Sequence, residues 1–551
     1  MRLNEATQLR VRDIDGERMK VHIRHGKGGK PRMVPMSPAL RDLLHAYWRA
    51  EGPREFLFPG KERAARRSGQ PSRARDLSMV TTKLACDDAP MRRPSRPITR
   101  RSFLADTSTF AAGSILTGCA LQPVHTSSRG KIRIAIVGCG GRGCGAVTNA
   151  LSVPGADIEL VAMADVFDAK PRDGREALQE QFAQKVNVPD ERLFTGFDSY
   201  KKAMDCLAPG DIVILTTPPA FRWVHYSYAI EKGLHVFMEK PLTVDGPTSK
   251  RMLALNEVAK KKNLKVGVGL MSRHNYGMRE LQKRIQDGEL GEILLMRGYR
   301  MHAPAAFFRS LKKPDGISEL MYQIQRFHSF LWASGGNFSD FNIHIVDHLC
   351  WMKGSWPVKA QAVGGRHYRE TQEGLWIDQN FDSYSVEYTF ADGTKMLFDG
   401  RCMPGCHIEY RSFAHGTKGA AVVASNGDCG LPSSIYKSQA MAASDLLWTS
   451  KVKESEQDPY QNEWNELIAA ILADEPYNEV DNGVRTSMVT SMGRMAAHTG
   501  QEITFDEMLN GDFEFAPEVD KLTFDSPAPV LAGPDGRYPV PMPGLRGKRE
   551  Y

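Results

Sequence analysis

The residues with the most chemical content at the tightest spacing lie between 131 and 165. An apolar, β-branched run with Ile132, Ile134, Ile136 and Val137 passes straight into Gly138-Cys-Gly140-Gly141-Arg142-Gly143, and 146–151 suit a helix. A strand that turns on glycines into a helix leaves free N–H groups at the helix start, where an anion can sit. Gly138 allows the turn, Gly140 lets a pyrophosphate approach the backbone, and Gly143 lets helix and strand pack closely. A second apolar run, 158–164, ends at Asp165, about the spacing expected of an acid that bonds an adenosine ribose. A carboxylate there favours NAD over NADP, because a 2′-phosphate would meet a negative charge.

Farther along, the stretch 334–352 (SGGNFSDFNIHIVDHLCWM) sets Asp340 and His344 four residues apart, which on a helix is one face, with Asp347 one turn beyond. Oxidising a carbinol needs a hydride acceptor, a base for the hydroxyl proton and a group that stabilises the developing alkoxide. Histidine titrates near neutrality and can take that proton. A lysine ammonium beside it can stabilise the oxyanion while a dinucleotide does the electronic work. A histidine followed by apolar residues also suits a core, and Asp347 and His348 equally suit a helix face with structural bonds. Arg273 and His274, just after a strand end, are candidates for lining a substrate pocket.

These groups require a scaffold, and the pattern supplies one. Helical stretches at 174–185 and 202–206 lead to a buried strand from Asp211 that ends at Thr217-Pro218-Pro219. A helix at 223–232 then returns to a strand ending in Glu239-Lys240-Pro241. This β-α-β alternation predicts an α/β fold with a Rossmann, doubly wound parallel sheet over 131–272. Alternating runs at 383–390 and 395–398, joined by Ala-Asp-Gly-Thr, read as a hairpin. More strands are expected over 405–423, and helices at 461–473 and 483–499. The second domain, 273–512, is therefore expected to be α+β with a large, mostly antiparallel open sheet. The Pro- and Gly-rich tail, 513–551, reads as an extended strap over the surface.

The set GxGxxG, Asp165, Thr-Thr-Pro-Pro and above all HVFMEKPL resembles the Gfo/Idh/MocA family of NAD(P)-dependent oxidoreductases, from about 131 to 510, with VGVGLMSRHN at 266–275 continuing the match. The resemblance implies a cofactor site of Gly138, Gly140, Gly141, Arg142, Gly143, Asp165, Thr217, Pro218, Glu239 and Lys240. It places the Lys240 ammonium beside nicotinamide and substrate, with Pro241 preceded by a cis peptide. In the inositol-dehydrogenase branch an Asp-x-x-x-His pair works with that lysine, and the matching residues are Asp340 and His344. The expected catalytic set is thus Lys240, His344 and Asp340, with Arg273, His274 and Asp347 as substrate candidates. The implied activity is hydride transfer between NAD and a secondary alcohol of a sugar, cyclitol or polyol by a homodimer or tetramer. The alternatives are an NAD-dependent glycoside hydrolase of the same superfamily and a non-catalytic sugar-binding lipoprotein. The intact Glu239-Lys240-Pro241 favours the dehydrogenase.

The N-terminal part has another character. Residues 1–60 resemble the middle of a tyrosine recombinase (phage integrase) catalytic domain, with Arg2 and Lys27 matching the first catalytic arginine and the lysine of a basic hairpin. The His-x-x-Arg box and the tyrosine nucleophile of that family are missing, so the piece reads as a truncated fragment. Residues 61–90 read as a linker. Residues 91–119 resemble a twin-arginine export signal, with Arg100-Arg101 and a lipobox ending at Cys119, the candidate for lipidation; 120–130 form a spacer. The expectation is translation from Met91, export to the periplasm or a lipid anchor at the membrane surface, and the cofactor loaded before export.

Charge distribution agrees with this division. The net charge is +7, but the first hundred residues hold 23 Lys and Arg against 11 Asp and Glu, and the remainder holds 49 against 54. The mildly acidic body offers no bulk electrostatic case for nucleic acid. Nine cysteines without a C-x-x-C pair argue against a zinc site or disulfide scaffold, and no metal is expected.

Overall fold

The structure is a computed structural model and describes residues 13–15, 20–24, 32–35, 130–545 and 549–551. Two units divide the chain, Met1–Gly113 and Ser114–Tyr551. In the first, β1 (Ile14–Asp15), β2 (Lys20–Ile23) and β3 (Arg32–Pro35) form an antiparallel sheet, with His22 opposite Met33. Arg2, Lys27, the Arg100-Arg101 pair and Cys119 lie outside the described residues.

The second unit opens with the parallel sheet. Its elements run β4 (Ile132–Val137), α1 (Gly141–Leu151), β5 (Ile158–Asp165), α2 (Ala169–Phe182), β6 (Leu193–Thr195), α3 (Ser199–Asp205), β7 (Ile212–Leu215), α4 (Arg222–Glu231), β8 (His235–Met238), α5 (Gly246–Lys261) and β9 (Val266–Val268). The strand order is β6-β5-β4-β7-β8-β9, all parallel. Helices cover both faces, so β7 and β8 are buried along their whole length, which is why they read as unbroken apolar runs rather than alternating ones.

After α6 (Tyr276–Gln286) comes the long strand β10 (Ile293–His302). Four short helices follow: α7 (Glu319–Gln325), α8 (Leu331–Ser334), α9 (Gly336–Phe341) and α10 (Ile343–Lys353). Strands β11 (Lys359–Gly365), β12 (Glu370–Thr371), β13 (Gly374–Leu375), β14 (Ser383–Thr389), β15 (Lys395–Cys402), β16 (Glu409–Gly416), β17 (Gly419–Ala424), β18 (Ser434–Tyr436) and β19 (Leu446–Thr449) lead into α11 (Pro459–Leu472), α12 (Val480–Thr499), β20 (Ile503–Thr504) and α13 (Phe505–Asn510). Nine strands form one sheet in the order β19-β18-β17-β16-β10-β15-β14-β11-β20. Only the β10–β15 pair is parallel, and the hairpin expected at 383–398 is β14–β15, with Val386 opposite Phe398.

One face of this sheet packs on α10 and α12, and the other stays open, so β15 alternates buried Met396 and Phe398 with exposed Leu397. Helix α12 lies close against it because Gly493 has no side chain; a Cβ there would meet the Tyr388 hydroxyl at 2.1 Å. One expectation needs correction and one is sharpened. Asp340 and His344 do not share a continuous helix: α9 ends at Phe341, α10 starts at Ile343, and Asn342 joins them. From 513 on, the described tail has no strand or α-helix and stays mostly exposed or half-buried, as a strap does, but it is pinned to the body: Phe515, Ala516, Val519, Val530 and Tyr538 are buried in a cluster with Leu320, Phe330 and Trp332. Cys402 is buried and Cys406 exposed, both as free thiols. Among the described residues no helix is long and apolar enough to cross a membrane.

Candidate functional site

Each strand of the parallel sheet that ends at the switch point delivers a loop to one cavity of about 980 Å³. The turn after β4 brings Gly138 to Gly143, β5 brings Asp165, β7 brings Thr217 and Pro218, and β8 brings Glu239 and Lys240. A crevice outside the carboxyl ends of parallel strands is where this architecture leaves room for a ligand.

The glycine turn has the shape a dinucleotide needs. Gly138 has a φ of +100°, and a Cβ on Gly143 would lie 2.1 Å from the Gly138 carbonyl oxygen, so neither position takes a side chain. Gly140 and Gly141 have open space where a Cβ would project, and α1 starts at Gly141 with no side chain capping its N–H groups. That start is an anion site left open on the cavity. Asp165 is fixed by backbone donors: Cys139 N–H reaches Oδ2 at 2.7 Å and Phe167 N–H reaches Oδ1 at 3.0 Å. Burial lifts its carboxyl above the usual value while these donors act against the rise. The donor set, the open turn and the acid at the end of β5 fit NAD.

Arg142 does not reach freely into this space. Its Nε donates to Glu239 Oε1 at 2.6 Å and its guanidinium lies over the Tyr460 ring at 4.5 Å. The Glu239 carboxylate in turn presses on Gly269, where a Cβ would come within 2.7 Å of it. Thr217 Oγ1 is 3.1 Å from His225 Nδ1.

The other wall comes from the second domain. Lys240 Nζ donates to the Asp340 carbonyl at 2.7 Å and lies 3.7 Å from Asp340 Oδ2. That Oδ2 is also 3.1 Å from His328 Nε2. Burial alone would raise the Asp340 carboxyl, but Lys240 and His328 hold it well below the usual carboxylate range, so it is an anion. His344 lies on the same cavity with Nδ1 buried and without a hydrogen-bond partner. Burial, joined by the Lys240 and Arg300 charges and opposed by Asp428, pushes its imidazole down to about 4. At neutral pH it is uncharged and able to accept a proton. Arg300 pairs with Asp428 at 3.2 Å beside it. The peptide before Pro241 is cis.

The Gfo/Idh/MocA oxidoreductase family, described by its NAD-binding Rossmann fold, matches residues 132–270, and the C-terminal domain of the same family matches 278–422. From 132 to 422 the chain belongs to the Gfo/Idh/MocA family. Inositol 2-dehydrogenase of Rhizobium meliloti (strain 1021) is 26% identical over 296 residues, 52% of this chain and 74% of the relative. In fold the chain is similar to myo-inositol 2-dehydrogenase from Lactobacillus plantarum, with a TM-score of 0.50 at 20% identity, covering 68% of this chain and 99% of that one.

The phage integrase family matches residues 1–102, past the boundary expected at residue 60 and into the segment holding Arg100 and Arg101. A putative integrase/recombinase, y4qK, of Sinorhizobium fredii (strain NBRC 101917 / NGR234) is 40% identical over 104 residues, 19% of this chain. The chain spans about a third of the length of the two integrase relatives it matches first.

Within the Gfo/Idh/MocA part, three candidates go elsewhere. Arg273, His274 and Asp347 do not line the cavity. Arg273 grips Asp347 through Nε at 2.9 Å and Nη2 at 2.8 Å, and Thr486 Oγ1 donates to the same carboxylate at 2.7 Å. His274 sits between Glu466 at 2.9 Å and Glu479 at 3.0 Å. All three are spent on ion pairs and hydrogen bonds that join the turn before α6 to α10, α11 and the start of α12, which corrects the expectation that they touch substrate. Conversely, His328, Arg300, Asp428 and Tyr460 line the cavity and were not singled out from sequence. Each is an isolated residue far from the others in the chain, so no local spacing marks it.

Proposed function

We propose that the chain is an NAD-dependent oxidoreductase moving a hydride between the cofactor and a secondary alcohol of a cyclitol, sugar or polyol. The observation that carries this reading is the meeting of Lys240, Asp340 and His344 on the wall of the same cavity that holds the glycine turn and Asp165. Gly138 to Gly143, Asp165 and the Thr217-Pro218 turn would hold NAD, which when bound would supply the hydride acceptor. The neutral His344 imidazole takes the hydroxyl proton as the C–H bond gives up its electron pair, and the Lys240 ammonium donates to the developing alkoxide oxygen. Asp340 keeps positive charge at that spot and, through its carbonyl, aims Nζ. In the reverse direction the same imidazolium returns the proton.

The test is incubation of the full chain with NAD and a panel of cyclitols, aldoses, linear polyols and aryl glycosides, followed at 340 nm. Substrate-dependent NADH formation supports the reading. Release of the aryl aglycone without net NADH replaces it with the hydrolase. Turnover untouched by Lys240→Ala overturns the assigned chemistry.

Export is part of the same proposal and rests on Arg100-Arg101, the apolar stretch after it and Cys119. A reporter fused behind residues 91–119 should leave the cytoplasm in a cell with the twin-arginine pathway, and Arg100→Lys with Arg101→Lys should retain it. Association of the reporter with membranes that disappears on Cys119→Ala would identify the lipid anchor. Homo-oligomer formation through the open face of the nine-stranded sheet completes the reading.

A further inference from the structure

Helix α12 runs beneath both segments that bear the proposed catalytic groups, and its contacts to them are unusually direct. Gly483 has no side chain where a Cβ would meet Leu242 at 2.6 Å, and Ser487 Oγ accepts from the Leu242 N–H at 3.0 Å. Two turns on, Arg494 is wholly buried. Its Nη2 donates to the Val244 carbonyl at 3.1 Å, four residues after Lys240. Its Nη1 donates to the Gly335 carbonyl at 3.0 Å and to Ser339 Oγ at 2.8 Å, the residue before Asp340. One guanidinium therefore ties the Lys240 segment to the Asp340 segment.

The charge of that guanidinium is met from the tail. Glu550 accepts from Arg494 Nη2 at 2.8 Å and from Nε at 2.9 Å. Its Oε2 is 2.6 Å from His498 Nδ1, and His498 Nε2 is 2.8 Å from the Tyr384 hydroxyl. The neighbouring Tyr551 stacks on Phe515 at 5.7 Å between ring centroids, and Phe515 N–H donates to Asp245, the cap of α5. The polar side-chain atoms of Arg494, Glu550 and His498 all have partners inside the protein and none of the three lines the cavity, so they act only through what they hold.

We propose that Arg494 and Glu550 are positioning residues of the active site: the tail carboxylate fixes the Arg494 guanidinium, which sets the separation and aim of Lys240 and Asp340. This rests on the catalytic reading given above for those two residues. A buried cation stripped of its anion must reorganise, and the groups free to move with it are the Val244 carbonyl and the start of α9. A displacement of about 1 Å at a reacting pair costs up to about 100-fold in rate.

The experiment uses full-length Glu550→Gln, with Glu550→Asp as the conservative variant that still carries the charge. Hydrogen–deuterium exchange, which needs no turnover, is read peptide by peptide. The expected result is at least about tenfold faster exchange over 242–245 and 335–341, with β4 and β7 unchanged. The kinetics should show kcat lower by about ten- to 100-fold, NAD affinity within about twofold, and substantial recovery in Glu550→Asp. Unchanged exchange in the two segments overturns the proposal. So does faster exchange there with an unaltered kcat, or a uniform loss of protection reproduced by Glu550→Asp. If the unmodified chain oxidises no polyol while the exchange pattern appears, the catalytic reading fails and the tie between the two segments stands.

Discussion

Two clusters in this protein are built from the same residue types and have opposite fates. Around Lys240, a lysine, an aspartate and two histidines gather at the wall of a cavity. Around Arg273, an arginine, an aspartate and a histidine with two glutamates gather at helix junctions, with no face on that cavity. Both are largely buried, but the Lys240–Asp340 ion pair is loose at 3.7 Å whereas Arg273 and Asp347 close to 2.8 Å. The first keeps a buried, unpartnered histidine nitrogen and an ammonium whose best hydrogen bond is to a carbonyl. In the second the Arg273 guanidinium and both His274 nitrogens lie within 3.0 Å of carboxylates, although the approach of His274 Nε2 to Glu479 lacks hydrogen-bond geometry and neither group faces that cavity. Unused bonding capacity facing a cavity, rather than the presence of charged residues, separates a site from a joint.

The sharpest way to break this comparison is to exchange the consequences of mutation between the clusters. Lys240→Ala is expected to lower kcat by about 1000-fold, through loss of the alkoxide donor, with the thermal midpoint little changed. Arg273→Met should do the reverse. It leaves Asp347 buried with its charge unmet, a cost of about 3–5 kcal/mol in unfolding free energy, while kcat of the folded fraction stays within about twofold. Denaturant titration beside steady-state kinetics checks both. Equal effects of the two variants on kcat would dissolve the distinction.

How legible this division was in the chain depends on the range of the information. The glycine turn, the acid that ends β5 and the order of strands and helices are local consequences of backbone sterics and apolar period, so they were readable within a few residues. Lys240, Asp340 and His344 were reached through a resemblance to a family, and their meeting is a product of chain segments a hundred residues apart. Arg273 and His274 mislead for the same reason: a position after a strand end is right for a pocket, but which way the following turn faces is decided by α11 and α12, far along the chain. His328 and Asp428 left no periodic or spacing signal. The break at Asn342 was hidden because four-residue spacing suits a helix, whereas the chain makes two short helices that still deliver both groups to one wall.

His344 sharpens the comparison next. His344→Gln should reduce kcat by about 100-fold. In the unmodified chain the imidazole, pushed down to about 4 chiefly by burial, stays neutral through the physiological range. The acid limb of kcat/KM is therefore expected near pH 4 rather than near the ordinary histidine value. A limb at 6.5 that vanishes in His344→Gln would show that the imidazole is far better hydrated than its burial implies.

The last contrast is the stability carried by His274, and its pH dependence has the opposite sense. Burial acts to lower this imidazole, but the Glu466 and Glu479 carboxylates beside its two nitrogens outweigh it and lift it from 6.5 to about 10. A histidine whose value is raised by folding is bound to its proton more tightly in the native state, so its contribution is complete below pH 6.5 and is lost as pH climbs toward 10. Glu466, held below the usual carboxylate value against its burial by His274 and Arg279, stays ionised throughout that window and adds no slope of its own. Unfolding free energies of the unmodified chain and His274→Gln should thus differ most at pH 6 and converge as pH approaches 10. A difference that grows with pH over this range would mean that His274 is neutral in the fold, and that the second cluster, like the first, keeps an uncharged imidazole.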